Sequence, residues 1–454
     1  MFSKYDTFVN IYDISNLPND GSELELFATH SLQGGSYTAA RSVDSIAHIV
    51  TSSVIDVLQR LQNPFLKRKP RYFDLSSTEY RSTAINYATK IVIPQFTALM
   101  MTHLKSEEGT CNQIVKLSMF QSVDHTCTGE VLPVYARQRI MDSLVTITTF
   151  NMTSRNSPET NLRNGSNELI LNVSRTNAFM PSYDDILVYS TSDYLFVSGR
   201  GFQYTNTSWV DQTFIMAFAL NSGNNGIKIR GFGSVPGIIK NSLAFDVLKG
   251  HLRIVSGNAR TVTCIKSETH EINGASNTNC VWTQEHNRTN HMTILKIPSD
   301  VQFKNTHMTR TGYLGEIGEG EKIISVRFME GQAFIVTFYR GGNLFTIDVS
   351  DHSNPKLVGK LKHPGFVTYL YPYDSHGNIL VAIGRNATKT GITKGLQISL
   401  FNASNFAEPY VLDVYHIEDN ISRSNAEYDY TSFRFLPESK RYVKSYLSIS
   451  YFHL

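Results

Sequence analysis

At 454 residues the chain exceeds the roughly 250–300 residues over which one hydrophobic core keeps growing, yet no Pro/Ser/Gly-rich linker divides it. A composition of 41% hydrophobic and 18% charged residues excludes wholesale disorder. A net charge of +3 argues against the concentrated basic face that a nucleic-acid partner requires.

In chain order, Thr7–Ser15, Glu23–Phe27, Gly34–Tyr37 and Ser45–Thr51 read as four strands. The start, Met1–Asp6, carries no apolar signal-peptide run, and the natural start is expected to lie upstream of Met1. Between residues 54 and 108 the period changes. Val54, Leu58 and Leu61 share one helical face, and Ser77–Lys90 has a Ser/Thr start followed by alanines, so a helical insertion is expected over 54–108. Its basic run Lys67–Arg71 reads as a solvated loop rather than an anion-binding patch. The longest apolar run, Ile91–Met101, is broken by Pro94 and Gln95 and falls short of the ~20 residues of a membrane-spanning helix, so no transmembrane segment is expected.

Strand-like runs resume at Cys111–Phe120 and Asp142–Phe150. Asn151–Asn167 is a polar loop, and Glu168–Ser174, Asp193–Gly199 and Gln212–Phe218 read as strands again. Gly231–Gly237 superficially suggests a dinucleotide loop, but its third glycine is one position late and no helix follows. Gly250–Gly257 is another strand, and 264–280 reads as a loop insertion between two strands.

The clearest unit is Thr311–Phe401. Gly331–Phe338 and Leu344–Val349 flank a short turn, Lys356–Leu361 and Phe366–Tyr371 follow, and Gly377–Gly384 restarts the pattern 46 residues after Gly331, about the period of a four-stranded propeller blade. Such a ring resolves the size problem, because each blade packs only on its neighbours. Its richness in Tyr and Phe, 23 and 26 against 2 Trp, suits strands. Counting runs that start near Ser45, Asp142, Asp193, Gly250, Gly331, Gly377 and Lys440 gives about seven blades, with six or eight also compatible. The expected fold is thus an all-β β-propeller of four-stranded blades, one domain over 1–454. Past Asn420 the pattern fades through Tyr428–Phe435 and Lys444–Tyr451, and Thr7–Ile14 is a candidate strand to finish the last blade.

Thr311–Gly318, Glu321–Met329, Asp348–Asp351 with Asn354–Lys356, and Pro364–Leu370 closely resemble the secreted β-propeller domain family distantly related to WD repeats. The likeness is strong over about 210–415 and moderate over Thr7–Ser52, and the chain reads as a eukaryotic member. The resemblance implies a propeller in an extracytoplasmic setting and no reaction.

The cysteines fall as Cys111/Cys127 and Cys264/Cys280, each pair 16 positions apart, the pattern of two local disulfides, the second closing the 264–280 insertion; buried inert thiols are the alternative. Glycosylation sequons stand at Asn151, Asn164, Asn172, Asn206, Asn287, Asn386, Asn402 and Asn420. The expected location is secreted or in the secretory-pathway lumen, the alternative cytoplasmic with free thiols.

Phosphate-loop, zinc-protease, nucleophile-elbow and Cys-x-x-Cys motifs are all missing from the sequence, and no catalytic residue, cofactor or metal ligand is assigned. His352, His363 and His376 lie in turns and read as surface residues rather than a metal site. Asp13 and Asp348 recur at one strand end where Asn402 stands in the next repeat, which fits turn capping rather than base catalysis. Arg327 is the one charged residue inside Ile323–Phe328, and either faces the channel or a ligand, or pairs with a carboxylate of a neighbouring blade. The expected function is non-catalytic binding or scaffolding by a monomer that holds a protein or glycan partner on a propeller face. The alternative is a hydrolase or lyase with an acidic/His site at the channel mouth.

Overall fold

The computed structural model describes residues 7–13, 25–32, 35–43, 46–54, 86, 90, 111–115, 143–151, 172–180, 182, 186–204, 208–220, 227–272, 275–299, 307–338, 342–363, 365–374, 376–387, 393–417, 422–427, 429, 432–436, 441–444 and 446–447. Apart from Val54 and positions 86 and 90, the expected helical insertion lies outside them, as do Cys127, Asn164, Asn206 and Asn420.

The described chain is a series of antiparallel meanders. β1 (Thr7–Asp13) and β2 (Glu25–Leu32) form a pair. β3 (Ser36–Val43), β4 (Ile46–Val54), β5 (Cys111–Val115), β6 (Ser143–Asn151) and β7 (Asn172–Met180) make a sheet of order β3-β4-β6-β7-β5, in which β5 lies parallel to β7. β8 (Leu187–Ser190), β9 (Tyr194–Tyr204), β10 (Ser208–Ala219) and β11 (Lys228–Pro236) form one four-stranded meander; β12 (Phe245–Leu248), β13 (His251–Ile272), β14 (Ala275–Lys296) and β15 (Thr309–Leu314) form the next. Two regular four-stranded sheets follow: β16 (Lys322–Met329), β17 (Gln332–Phe338), β18 (Gly342–Asp348) and β19 (Lys356–His363), then β20 (Phe366–Pro372), β21 (Ile379–Ala387), β22 (Thr393–Asn402) and β23 (Tyr410–His416). Short pairs close the described chain: β24 (Arg423–Ser424) with β27 (Tyr446–Leu447), and β25 (Phe433–Leu436) with β26 (Arg441–Lys444).

Two sequence expectations are revised here. The runs beginning at Ser45 and Asp142 are β4 and β6, hydrogen-bonded neighbours in one sheet, so these two runs do not mark separate repeats. The span 264–280 is the distal part of a hairpin whose arms, β13 and β14, run 22 residues each. Cys264 lies opposite Trp282, and Cys280 opposite Ser267. Midway along its first arm this hairpin also pairs with β10, Ser208–Val210 against Thr261–Thr263, which merges two meanders into one eight-stranded sheet.

The sheets are buried on both faces, which is why their strands are continuous apolar runs rather than alternating ones. In β17, Ala333 and Ile335 pack into the layer toward β8–β15, whereas Phe334 and Val336 pack into the layer toward β20–β23. β21 repeats this, with Leu380 and Ala382 on one side and Val381 and Ile383 on the other. The period of two thus sorts side chains between neighbouring layers. At the chain's two ends, Val9, Ile11 and Leu32 of β1–β2 pack on Ile49 and Phe150, while Phe433 of β25 packs on Tyr369, Val381 and Ile383.

Within each meander the first strand lies innermost. β16 packs against β20, and β3 against β8, while the fourth strands β19 and β23 are largely exposed.

Candidate functional site

Because first strands converge, the side chains that their turn-proximal halves project inward meet residues from other sheets. Tyr189 of β8 stacks on Phe245 of β12 at 5.6 Å and 11°. Arg327 of β16 lies over the ring of Tyr371 of β20 at 5.9 Å, and Tyr371 meets Phe433 edge-on at 5.4 Å. Burial pushes the Tyr189 hydroxyl up to about 12, with the Asp246 carboxylate adding to the rise and the Arg253 and Arg327 guanidiniums opposing it. Side chains from four successive first strands therefore share one electrostatic environment at the axis.

Arg253 is the structural member of this group. It is 1% exposed, sits directly across the strand pair from Asp246, donates Nε to its carboxylate at 2.8 Å, and also donates to the carbonyl of Glu330 in the next sheet. Glu330 takes a left-handed φ of +41°, an uncommon conformation for a non-glycine residue, and the bond to its carbonyl holds that turn in place. Lys240 donates to the carbonyl of Ile324. Burial, with Lys322 nearby, brings its amine down to about 8.

On the face carrying the β16–β17 and β20–β21 turns lies an open cavity of about 410 Å³ lined by Met329, Gln332, Asp348, His376, Asn378 and Phe406 among others. Its floor is anchored, since Phe406 packs edge-on against buried Phe334 at 5.5 Å. Asp348 behaves as a cap: its Oδ1 accepts the amide of Ser350 at 2.9 Å and its hydroxyl at 2.6 Å. Asn402 accepts the amide of Ser404 in the same way at 2.9 Å.

The three turn histidines part company. His376 is exposed at the cavity and His352 packs against His251 with ring centroids 4.3 Å apart. His363, expected at the surface, is 2% exposed because β19 turns it inward, where Nε2 contacts the Ser399 hydroxyl at 3.1 Å. Among the described residues no three His, Cys, Asp or Glu gather as a metal site, and no helix is long and apolar enough to cross a membrane.

Burial lowers both His363, with a smaller contribution from His416, and His48 from 6.5 to about 4. Their folded-state pKa values lie below the unfolded one, so the stability they protect is complete above pH 6.5. Below that, the unfolded chain takes up protons that the fold refuses, and stability is expected to fall toward pH 4 by about 1.4 kcal/mol per pH unit for each histidine. Urea unfolding of His363→Asn across this range should show a slope shallower than wild type by about 1.4 kcal/mol per pH unit; an unchanged slope would refute the assignment.

The sequence reading singled out Arg327 but passed over Arg253, although Arg253 also stands among apolar residues, Leu252, Ile254 and Val255, and its partner Asp246 is known only from the strand pairing. The cavity residues span Met329 to Phe406 and come together only through the fold.

An uncharacterised protein of Methanocaldococcus jannaschii is 35% identical over 138 residues, 30% of this chain and 21% of that protein. One of Archaeoglobus fulgidus is 28% identical over 214 residues, 46% of this chain and 27% of that protein. The chain thus matches about a quarter or less of either relative's length. Among solved structures, an apocarotenoid oxygenase mutant of Synechocystis is 9% identical with a TM-score of 0.27, covering 53% of this chain and 50% of that one. Sqt1 of Saccharomyces cerevisiae is 10% identical with a TM-score of 0.26, covering 62% and 74%. The description "Beta propeller domain" matches residues 1–446, and the chain belongs to that β-propeller domain family.

Proposed function

We propose that this domain is an extracytoplasmic, non-catalytic binding module that takes a glycan on the face bearing the β16–β17 and β20–β21 turns. The observation that carries this reading is the cavity there, where Gln332, His376 and Asn378 offer hydrogen-bonding groups around Met329 and Phe406. A hydrated ligand with an apolar ring face suits that lining. A protein partner would favour an apolar interface core, but of the eleven large exposed apolar side chains among the described residues only Tyr373 stands in these turns, while Leu357, Val358, Tyr410, Leu412 and Tyr415 stand on the outer strands β19 and β23. The carboxylate of Asp348 is engaged by Ser350, which suits a cap better than the base of a hydrolase. Placement outside the cytosol rests on the paired cysteine spacing and the eight sequons.

The same reading takes the meanders as six blades of one ring. β25–β26 supplies the inner half of the sixth and β1–β2 its outer half, because β25 packs on the blade of β20–β23 and β1–β2 packs on the blade of β3–β7.

An immobilised-glycan array tests the binding reading. Wild-type protein should retain a defined set of glycans, and the double substitution Gln332→Ala with His376→Ala should weaken that binding by about tenfold or more at unchanged Tm. No retained glycan, or equal binding by the variant, would overturn it.

A further inference from the structure

We propose that the axial mouth of the propeller is a second binding site, which takes a carboxylate-bearing saccharide on the guanidinium of Arg327 beside the ring of Tyr371. It shares no residue with the face cavity and goes beyond the glycan reading given for that cavity.

Arg327 is half-buried within a strand otherwise committed to core packing, Ile323, Ile324, Val326 and Phe328 all being buried. The expected carboxylate from a neighbouring blade is not what meets it: its guanidinium lies over the Tyr371 ring at 5.9 Å. Its Nε is buried without a hydrogen-bond partner. A sheltered guanidinium donor lacking an acceptor is costly, and such a group calls for a missing partner.

The neighbouring charges do not supply one. Asp246 is taken by Arg253, and Arg253 by Asp246 and the Glu330 carbonyl. Lys240 spends its ammonium on the Ile324 carbonyl, and Lys322 stands near it, so among the described residues no carboxylate pairs with Arg327. The planar fork of arginine matches a carboxylate bidentately. Tyr371 is fixed by its edge contact with Phe433 and holds the guanidinium against its ring, while Tyr189 is stacked on Phe245 and Phe196. The Tyr189 hydroxyl, held up at about 12, stays neutral at physiological pH and does not repel an anion.

Calorimetric titration of the full chain with glucuronate, and with glucose as its uncharged counterpart, tests the proposal. Glucuronate should bind more tightly than glucose. Arg327→Met should weaken glucuronate by about tenfold or more and, without ligand, should leave Tm equal or raised, because it removes a charge that no carboxylate among the described residues pairs. Arg327→Lys, which keeps the charge but loses the fork, should fall between the two and stands in should Arg327→Met fail to fold. The face variant Gln332→Ala with His376→Ala should keep glucuronate binding, which separates this site from the cavity. Equal affinity for glucose and glucuronate, no glucuronate binding on the order of 10 mM, or an unchanged affinity in both Arg327 variants would overturn it.

Discussion

Replacing Phe334 by alanine is expected to destabilise the domain by about 3–5 kcal/mol. Phe334 is 0% exposed and stands in the apolar layer between the β16–β19 and β20–β23 sheets, among Val336, Leu344, Leu370, Leu380 and Phe401. Its ring also backs Phe406 beneath the face cavity. In a ring of sheets each unit lacks a private core, and stability resides in these shared layers, so truncation there removes contacts from two sheets together. Tyr415→Ala on the outer strand β23, where the side chain is 64% exposed, is the matched control and should fall within about 0.5 kcal/mol of wild type. Urea midpoints and Tm for both variants decide the matter. Equal losses would mean that the two sheets do not depend on each other for burial.

The contrast between Phe334 and Tyr415 also marks what the sequence discloses. A run such as Ala333–Phe338 announces a strand buried on both faces, and the turn at Asp348–Ser350 announces its cap, because both depend on residues close in the chain. The strands β16–β21 were therefore legible nearly to their ends, with β17 found at Gln332–Phe338 and β19 at Lys356–His363, whereas β22 and β23 were not read. What depends on distant pairing was not. β4 and β6 looked like separate repeats since the long segment between them hides that they are neighbours. The 22-residue arms of β13 and β14 looked like strands around a loop, because Cys264–Cys280 is polar and lacks apolar periodicity. His363 looked like a turn residue because it is followed by Pro364, but the last ladder pair of β19, Gly342 opposite His363, carries it inside. At the axis, Arg327 stood out against its apolar neighbours, while Tyr189 and Tyr371 resembled any other strand aromatic until convergence of the first strands gave them a common address.

Asp211→Ala is expected to cost about 3–5 kcal/mol, the range for breaking a buried ion pair from one side. Asp211 is 0% exposed and lies where β10, still paired with β9, ends its pairing with β11 and meets the long hairpin. Its carboxylate accepts Arg200 Nη2 at 3.0 Å, Arg260 Nη2 at 3.5 Å and the Arg260 backbone amide at 3.0 Å. The Arg260 guanidinium in turn lies over Trp209 at 4.8 Å and Phe202 at 5.6 Å. Alanine would take the carboxylate from two guanidiniums and one amide, whereas Asp211→Asn keeps the shape and an acceptor oxygen and should cost less, about 1–3 kcal/mol. Since this cluster adjoins the Ser208–Val210 pairing with Thr261–Thr263, the alanine variant should also speed amide hydrogen exchange across Thr261–Thr263 while leaving β17 and β21 protected. A near-neutral Asp211→Ala with unchanged exchange there would mean that the two meanders are held together by their ladder alone, and that the buried carboxylate only compensates for the arginines around it.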